Sequence, residues 1–271
     1  MNVLMPKHEM ISVIVNADDF GIDENRTRAI LEGFERGIVT HTTALVTMPH
    51  FEESVGLIKA AGHLEQMGLH FNLSEGCALT ETMRKCRFFC DNDGNFTQAF
   101  HHTRQYRLFF PREVRAIVED EARAQMQRFR DMGGISNHLD SHHHVHTDVS
   151  VARIILPIAR EYGFTSFRLS RNLGANLPAA KKLYKFWFNK VYACGPEFWS
   201  DYMCDFRGFK DCISLVSPEK TVEIMVHPMY GNLRNLSMMS ELTDSGRPMS
   251  GDRTFYDSLR DRVKLIYPAG K

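Results

Sequence analysis

Two adjacent carboxylates stand close after an apolar run near the start of the sequence. Ile11–Val15 is rich in β-branched residues and predicts a buried strand, and Asp18 and Asp19 come shortly after it. A buried charge without a partner is costly, so this pair suggests a task beyond structure. Neighbouring residues on a strand point in opposite directions. We therefore expect different tasks, one acid binding a metal and the other acting as a base, unless one of them caps the following helix.

A second cluster holds five histidines between His138 and His146. Neutral imidazole is a common ligand for borderline divalent metals. On an extended chain His142, His144 and His146 would share one side, whereas helical spacing would pair His142 with His146. The run could supply one or two ligands together with substrate contacts, or it could be a solvated loop. Asp140 could orient a ligating imidazole, as carboxylates behind metal ligands do.

Two further histidines lie in or after predicted strands. His70 is in the β-like stretch Gly68–Leu73, and His227 follows the strand Val222–Val226. Alone, His70 is typical of a core residue and His227 of a turn, although a histidine at a strand end can also be a general acid. One carboxylate and two imidazoles would leave coordination positions open for water or substrate, as in catalytic metal sites. The sequence holds no G-x-S-x-G elbow, P-loop or G-x-G-x-x-G motif.

Alternating strands and helices must position these side chains. The strands are predicted at Ile11–Val15, Ala44–Val46, Met67–Leu73, the start of Asn137–His146, Ser166–Leu169 and Thr221–Val226. The main helices are predicted after Asp23, at Phe51–Ala61, at Pro111–Met132 and after Asp148. This order predicts an α/β fold with a parallel sheet, either a barrel or an open doubly wound sheet, with the site at the carboxyl ends of the strands.

The organisation predicted is one domain over residues 1–271, because no repeat or Pro/Ser-rich linker interrupts it. The basic and aromatic segment 177–209 is interpreted as an insertion or substrate-side element, either an amphipathic helix or a sugar-binding wall.

The composition argues against some classes of function. The chain has 271 residues, 43% of them hydrophobic, and its 33 basic and 33 acidic residues cancel. The absence of a basic surplus argues against a nucleic-acid partner. No apolar run reaches the ~20 residues of a membrane span, and Met1–Met10 lacks the apolar core of a signal peptide. We expect a cytoplasmic protein, with a homodimer as the default assembly of a soluble enzyme.

Three blocks of the sequence resemble the signatures of the YdjC-like carbohydrate deacetylases, a family that includes chitooligosaccharide deacetylases and a hopanoid-biosynthesis-associated branch. The blocks are Asn16–Gly21, Gly68–Gly76 and His138–His146, and His227-Pro228 matches a fourth, shorter block. The resemblance implies a (β/α) barrel-like fold, with parallel strands and outer helices, related to the polysaccharide deacetylases. It also implies metal-dependent hydrolysis of an N-acetylated sugar or oligosaccharide, which releases acetate.

The resemblance further implies roles for individual residues. By position in the blocks, Asp19, His70 and His142 would hold one divalent metal ion, magnesium or zinc. Asp18 would be the general base and His227 would protonate the leaving amine. Arg168, like His144 and His146, would contact the substrate, and Asp140 would support a ligand from behind.

Two other functions fit parts of this pattern. A phosphoesterase on a similar barrel would favour a second metal and more carboxylate ligands. A sugar-binding module without catalysis would need no base beside a metal, so the adjacent Asp18 and Asp19 argue for an enzyme.

Overall fold

A curved sheet of parallel strands carries the site. The computed structural model describes residues 10–174, 178–193, 199–230, 239–242, 248–249 and 263–267. Across the sheet the strands follow the order β5-β4-β3-β2-β1-β7-β6, and β11 pairs with the first residues of β1. The strands are β1 Ile11–Phe20, β2 His41–Ala44, β3 Met67–Phe71, β4 His138–Ser141, β5 Ser166–Phe167, β6 Tyr202–Asp205, β7 Thr221–Val226, β8 Pro228–Tyr230, β9 Met239–Leu242, β10 Pro248–Met249 and β11 Val263–Leu265. Strands β8, β9 and β10 form a small antiparallel sheet, in the order β10-β9-β8.

Helices connect the strands and cover the sheet. They are α1 Glu24–Glu35, α2 Phe51–Ala60, α3 Glu81–Arg84, α4 Ala99–His102, α5 Arg112–Asp131, α6 Val149–Glu161, α7 Ala179–Phe188 and α8 Phe206–Cys212. No helix within these described ranges is long and apolar enough to cross a bilayer. The parallel α/β architecture predicted from the sequence is confirmed, as a half-barrel.

The longest helices form because one face of each can be buried. On α5 the buried apolar residues Val118, Ala122, Met126 and Phe129 recur at helical spacing and join the core under the sheet. Asp23 caps α1 as predicted, accepting a 2.7 Å hydrogen bond from the Arg26 amide. Asp148 also precedes its helix, α6, but its side chain makes no capping hydrogen bond.

Several predicted bounds were wrong. Strand β1 continues to Phe20, so Asp18 and Asp19 lie within the strand and not after it. Strand β2 begins at His41, earlier than the predicted Ala44. Its first three residues are polar, so the sequence pattern did not indicate that the whole strand is buried. The sequence also gave no sign of β6, which is short and lies within the segment 177–209. This segment therefore contains a strand of the main sheet.

Candidate metal and catalytic site

The polar side chains singled out from the sequence meet at the carboxyl ends of the parallel strands. Asp19 lies at the end of β1 and His70 near the end of β3, while His142 follows β4. Arg168 follows β5, and His227 follows β7. A parallel sheet brings these ends to one edge although up to 209 positions separate the residues along the chain, from Asp18 to His227.

An irregularity in β1 separates the two adjacent acids. The pairing of β1 with β2 shifts register between Ala17 and Phe20, as at a β-bulge, and Asp19 has a φ of 67°. A non-glycine residue in this left-handed region is strained, and such strain concentrates at functional sites. The bulge turns Asp19 toward His142 while Asp18 faces Arg168.

Asp19, His70 and His142 converge on one point. Asp19 Oδ1 lies 2.9 Å from His142 Nδ1 and 3.4 Å from His70 Nε2. The three ligand atoms all lie within 4.8 Å of one another, and all three residues are buried. Ligand atoms held about 2.1 Å from one ion are about 3.0–3.4 Å apart at the angles of octahedral and tetrahedral coordination. The spacing therefore fits a single divalent ion.

The hydrogen-bond partners leave lone pairs pointing at this centre. His70 Nδ1 lies 2.6 Å from Asp140 Oδ1, so it donates there and leaves Nε2 as an acceptor. His142 Nε2 lies 2.9 Å from Glu75 Oε2, which leaves Nδ1 as an acceptor. Asp19 Oδ1 is buried and accepts no hydrogen bond from any residue that the structure describes. Three lone pairs that face one another need a cation, and the donor set fits a metal.

The same contacts shift the pKa values of the histidines. Burial alone lowers the pKa of an imidazole, but the carboxylates of Asp140 and Asp19 outweigh it and raise the pKa of His70 to about 10. In the same way, Asp19 and Glu75 raise the pKa of His142 to about 9 against the effect of burial. Burial also opposes the ionised form of Asp19, yet the charge of His142 holds the pKa of Asp19 well below its usual range. A divalent ion would take the place of the protons that these imidazoles otherwise hold.

Asp18 is held by a buried arginine. The two terminal guanidinium nitrogens of Arg168 each donate to one carboxylate oxygen of Asp18 at 2.6 Å, and Asn16 Nδ2 donates to Oδ1 at 2.9 Å. Burial raises the pKa of Asp18, but the charge and hydrogen bonds of Arg168 outweigh it and hold that pKa well below its ordinary value. Asp18 is therefore ionised and fixed in direction.

Arg168 itself is fully buried and binds two further acids. Its side chain lies 2.7 Å from Asp140 Oδ2 and 2.7 Å from Glu223 Oε1. Together with Asp18, these two carboxylates occupy the hydrogen-bond donors of the Arg168 guanidinium. The structure thus places Arg168 against Asp18 and Asp140, with no exposed surface for the substrate contact that the resemblance implies.

His227 lies on the open side of Asp18. Its Nε2 is 3.9 Å from Asp18 Oδ2, and a quarter of its side chain is exposed. His227 is thus a partly exposed neighbour of the buried acid.

The histidine run is bent, so the extended arrangement considered above is wrong. His142–Thr147 forms a 3-10 turn in which His143 and His144 adopt φ values of 50° and 56°. His146 is buried, its Nδ1 accepting from Ser141 Oγ at 2.5 Å and its Nε2 donating to the Arg168 carbonyl at 3.1 Å. Both ring nitrogens are used within the protein, so His146 supports the turn, and its substrate contact stays a prediction.

A cavity of about 490 Å³ is lined by His143 and His144, the two residues that follow the candidate ligand His142 in the chain. Burial holds the pKa of His144 well below its usual range, so this ring faces the cavity uncharged. Four cationic side chains share the lining: Arg107, Arg171, Lys181 and Lys185.

Several residues of the site carried no prediction. Glu75 lies inside the block Gly68–Gly76, but no role was predicted for it. It groups with His142 and His143 as a second, more exposed set of possible metal ligands. Thr43 Oγ1 donates to Asp140 Oδ2 at 3.0 Å. Glu223 is a fully buried acid in the apolar strand β7. An isolated charge in such a strand is the signal that could have identified it.

Comparisons with known proteins agree with this geometry. The family model described as YdjC-like protein matches residues 12–254. The chain belongs to the YdjC-like family. A carbohydrate deacetylase of Halalkalibacterium halodurans is 32% identical over 81% of this chain and 86% of that protein. One of Geobacillus stearothermophilus is 30% identical over 80% of this chain and 79% of that protein.

Other relatives of this YdjC-like chain align over a shorter range or share the fold alone. A carbohydrate deacetylase of Clostridium beijerinckii is 36% identical, over 55% of this chain and only 57% of that protein. A solved structure from Enterococcus faecalis, proposed as a cellobiose-phosphate cleavage protein, superposes with a TM-score of 0.69 over 95% of this chain and 97% of that one. Their sequence identity is 20%, so this likeness concerns the fold.

Proposed function

We propose that this protein is a metal-dependent deacetylase that removes an acetyl group from an N-acetylated sugar and releases acetate. The observation that carries the proposal is the convergence of Asp19 Oδ1, His70 Nε2 and His142 Nδ1 beside an independently held carboxylate, Asp18. The relatives named carbohydrate deacetylase support the sugar as substrate.

The donor set bears on which metal would bind. Two imidazole nitrogens and one carboxylate suit zinc or another transition metal, whereas magnesium prefers oxygen ligands. We therefore rank zinc before magnesium. A divalent ion bound by Asp19, His70 and His142 would polarise the amide carbonyl and lower the pKa of water at the site.

Asp18 is the proposed general base. The Arg168 clamp keeps it ionised, and its Oδ2 is the oxygen nearer the open side, toward His227. There it can take one proton from the water that attacks the acetyl carbon. The clamp also fixes the direction of the carboxylate, so little reorganisation is needed when the proton moves.

His227 is the proposed general acid. Its position beside Asp18 and its partial exposure leave the ring accessible to a bound substrate. As the C–N bond breaks, Nε2 would donate its proton to the leaving nitrogen. Water and the amide are thereby converted into acetate and a free amine. Asp18 then holds one extra proton and His227 lacks one, so transfer of this proton from Asp18 to His227 restores both residues.

The cavity is the proposed place for the sugar. Its volume of about 490 Å³ lies within the usual range of about 300–1,000 Å³ for small-molecule pockets. His144 lines it with an uncharged ring and can contact a sugar hydroxyl or the acetyl group.

An acetate-release assay tests the proposal. Purified protein is stripped with a chelator, reloaded with zinc or magnesium, and incubated with a panel of N-acetylated sugars and with a phosphate ester. We expect acetate release only after metal is restored, and at least about a hundredfold less of it from Asp18→Asn. Release of phosphate without acetate would replace the proposal with a phosphoesterase, and sugar binding without either product would indicate a binding module.

A further inference from the structure

Helix α7 exposes an apolar face. Leu183, Phe186 and Trp187 are 70%, 58% and 42% exposed, and Val191 beyond the helix is 51% exposed. We call these four residues the α7 face. Their spacing of three to four residues places them on one side of the helix. Such a row of large apolar groups is unusual on a surface that contacts only water.

The opposite side of the helix is anchored in the protein. Phe188 is 1% exposed, and Tyr184 donates to the Thr147 carbonyl at 2.9 Å. Arg153 donates to the hydroxyl of Tyr192 at 3.0 Å. The α7 face therefore points outward because the other side already has its packing partners.

Exposed apolar residues continue around the helix. Leu108 and Phe109 are 46% and 68% exposed, and Leu108 lines the cavity together with Lys181. Leu215 is 78% exposed and lines a depression together with Phe186. The apolar surface thus extends from the cavity mouth across α7, and contiguous patches of this kind mark interaction sites.

The same segment concentrates positive charge in a chain that is neutral overall. Lysines 181, 182, 185 and 190 lie in residues 177–196, which contain no Asp or Glu. Lys190 Nζ lies 4.7 Å from the centre of the Phe186 ring. Lysines beside exposed aromatic and leucine side chains are the pattern of helices that lie at a membrane interface.

We propose that the α7 face docks on an anionic lipid surface. The aromatic and leucine side chains would enter the headgroup region, and the lysines would bind the anionic headgroups. A symmetric dimer through this face would set lysines against lysines, which argues against a second copy as the occupant. Because Lys181, Tyr184 and Lys185 also line the cavity, docking would place the cavity mouth at the membrane. The proposal does not depend on the reaction catalysed.

Sedimentation with lipid vesicles tests this proposal. We expect the protein to bind vesicles of phosphatidylcholine mixed with phosphatidylglycerol, and to be released by salt. The double variant Phe186→Ser/Trp187→Ser should bind at least about tenfold more weakly. Lys182→Gln/Lys190→Gln should lose about fivefold for each lysine on anionic vesicles. The matched control is Ile135→Ser, which removes a side chain that is 55% exposed on the α5–β4 connection and should bind as the wild type does.

Tryptophan fluorescence locates the contact. The chain holds two tryptophans, Trp187 and Trp199. Brominated lipids should quench the emission of the wild type but not that of Trp187→Phe, which retains only Trp199.

Three results would overturn the proposal. One is wild-type protein that binds neither neutral nor anionic vesicles. Another is equal vesicle binding by the wild type and the Phe186→Ser/Trp187→Ser variant. The third is a dimer in sedimentation velocity that this double variant converts to a monomer, since a second copy would then cover the face.

Discussion

Asp18 and Asp19 are adjacent in the chain, yet their carboxylates belong to different networks. Asp18 is clamped by Arg168 at 2.6 Å, whereas Asp19 Oδ1 lies 2.9 Å from His142 Nδ1. The register shift in β1 and the positive φ of Asp19 make this divergence possible. The two acids can therefore be tested separately, because each can be changed without removing the partners of the other.

Replacing Asp18 with Asn should remove catalysis and keep the metal. Asparagine has nearly the same size but cannot accept the proton from water, and a positioned acid or base contributes about 10²–10⁴-fold. We expect kcat/KM for acetate release to fall by about that factor, with unchanged metal content by elemental analysis. Wild-type turnover in Asp18→Asn would exclude Asp18 as the base.

Replacing His142 with Ala should remove the metal and the activity together. His142 Nδ1 is one of the three convergent ligand atoms. The matched control is His143→Ala, which removes a neighbouring ring that belongs only to the more exposed grouping with Glu75. We expect one equivalent of metal in the wild type and in His143→Ala, and less than a tenth of that in His142→Ala.

The reverse pattern would identify a different site. Metal lost from His143→Ala but retained by Asp19→Ala would place the ion at Glu75, His142 and His143. Metal retained by all of these variants would contradict both groupings.

The sequence was sufficient to predict the parallel fold and the positions that converge. Apolar runs that end in polar residues recur with helices between them, and in a parallel sheet this order brings the run ends to one edge. The acid pair Asp18-Asp19, His70 and the histidine run could be placed near one another in this way, while the choice of Asp19 and His142 came from the family resemblance. Their spacing to within a few ångströms depends on the bulge in β1, for which residues 16–21 contain no local signal other than the acids.

The buried support of the site was harder to predict. Arg168 follows a strand of only two residues, and the family resemblance implied that it contacts the substrate. Its partners Asp140 and Glu223 come from β4 and β7, so only the assembled sheet shows that the charge is used internally. Likewise, the bend at His143 and His144 requires left-handed backbone, which non-glycine residues adopt uncommonly.

Replacing Arg168 with Met should destabilise the fold strongly. The change leaves Asp18, Asp140 and Glu223 as buried acids without their cation, and breaking a buried ion pair costs about 3–5 kcal/mol. We expect the free energy of unfolding in urea to fall by that amount. Arg123→Met is the control, because its pair with Glu161 is exposed and should have no measurable effect. Equal stability of the two variants would mean that the buried network adds nothing.

Asp148 should make stability fall as the pH rises. Its side chain is 1% exposed, and burial raises its pKa from 3.8 to about 6 although Arg107 acts in the other direction. A carboxyl whose pKa is higher in the folded state stabilises the fold below its unfolded pKa, and this contribution is lost as pH rises through the folded pKa.

Comparison with Asp148→Asn isolates this effect, because the asparagine does not titrate. Between pH 4 and pH 7 the free energy of unfolding of the wild type should decline relative to the variant by about 1–3 kcal/mol. The control is Asp91→Asn, since hydrogen bonds from Asn95 and Asp93 amides lower the pKa of Asp91 and predict a slope of opposite sign. A wild-type-minus-Asp148→Asn difference that is flat with pH would show that Asp148 is ionised at its ordinary pKa, with Arg107 fully offsetting its burial.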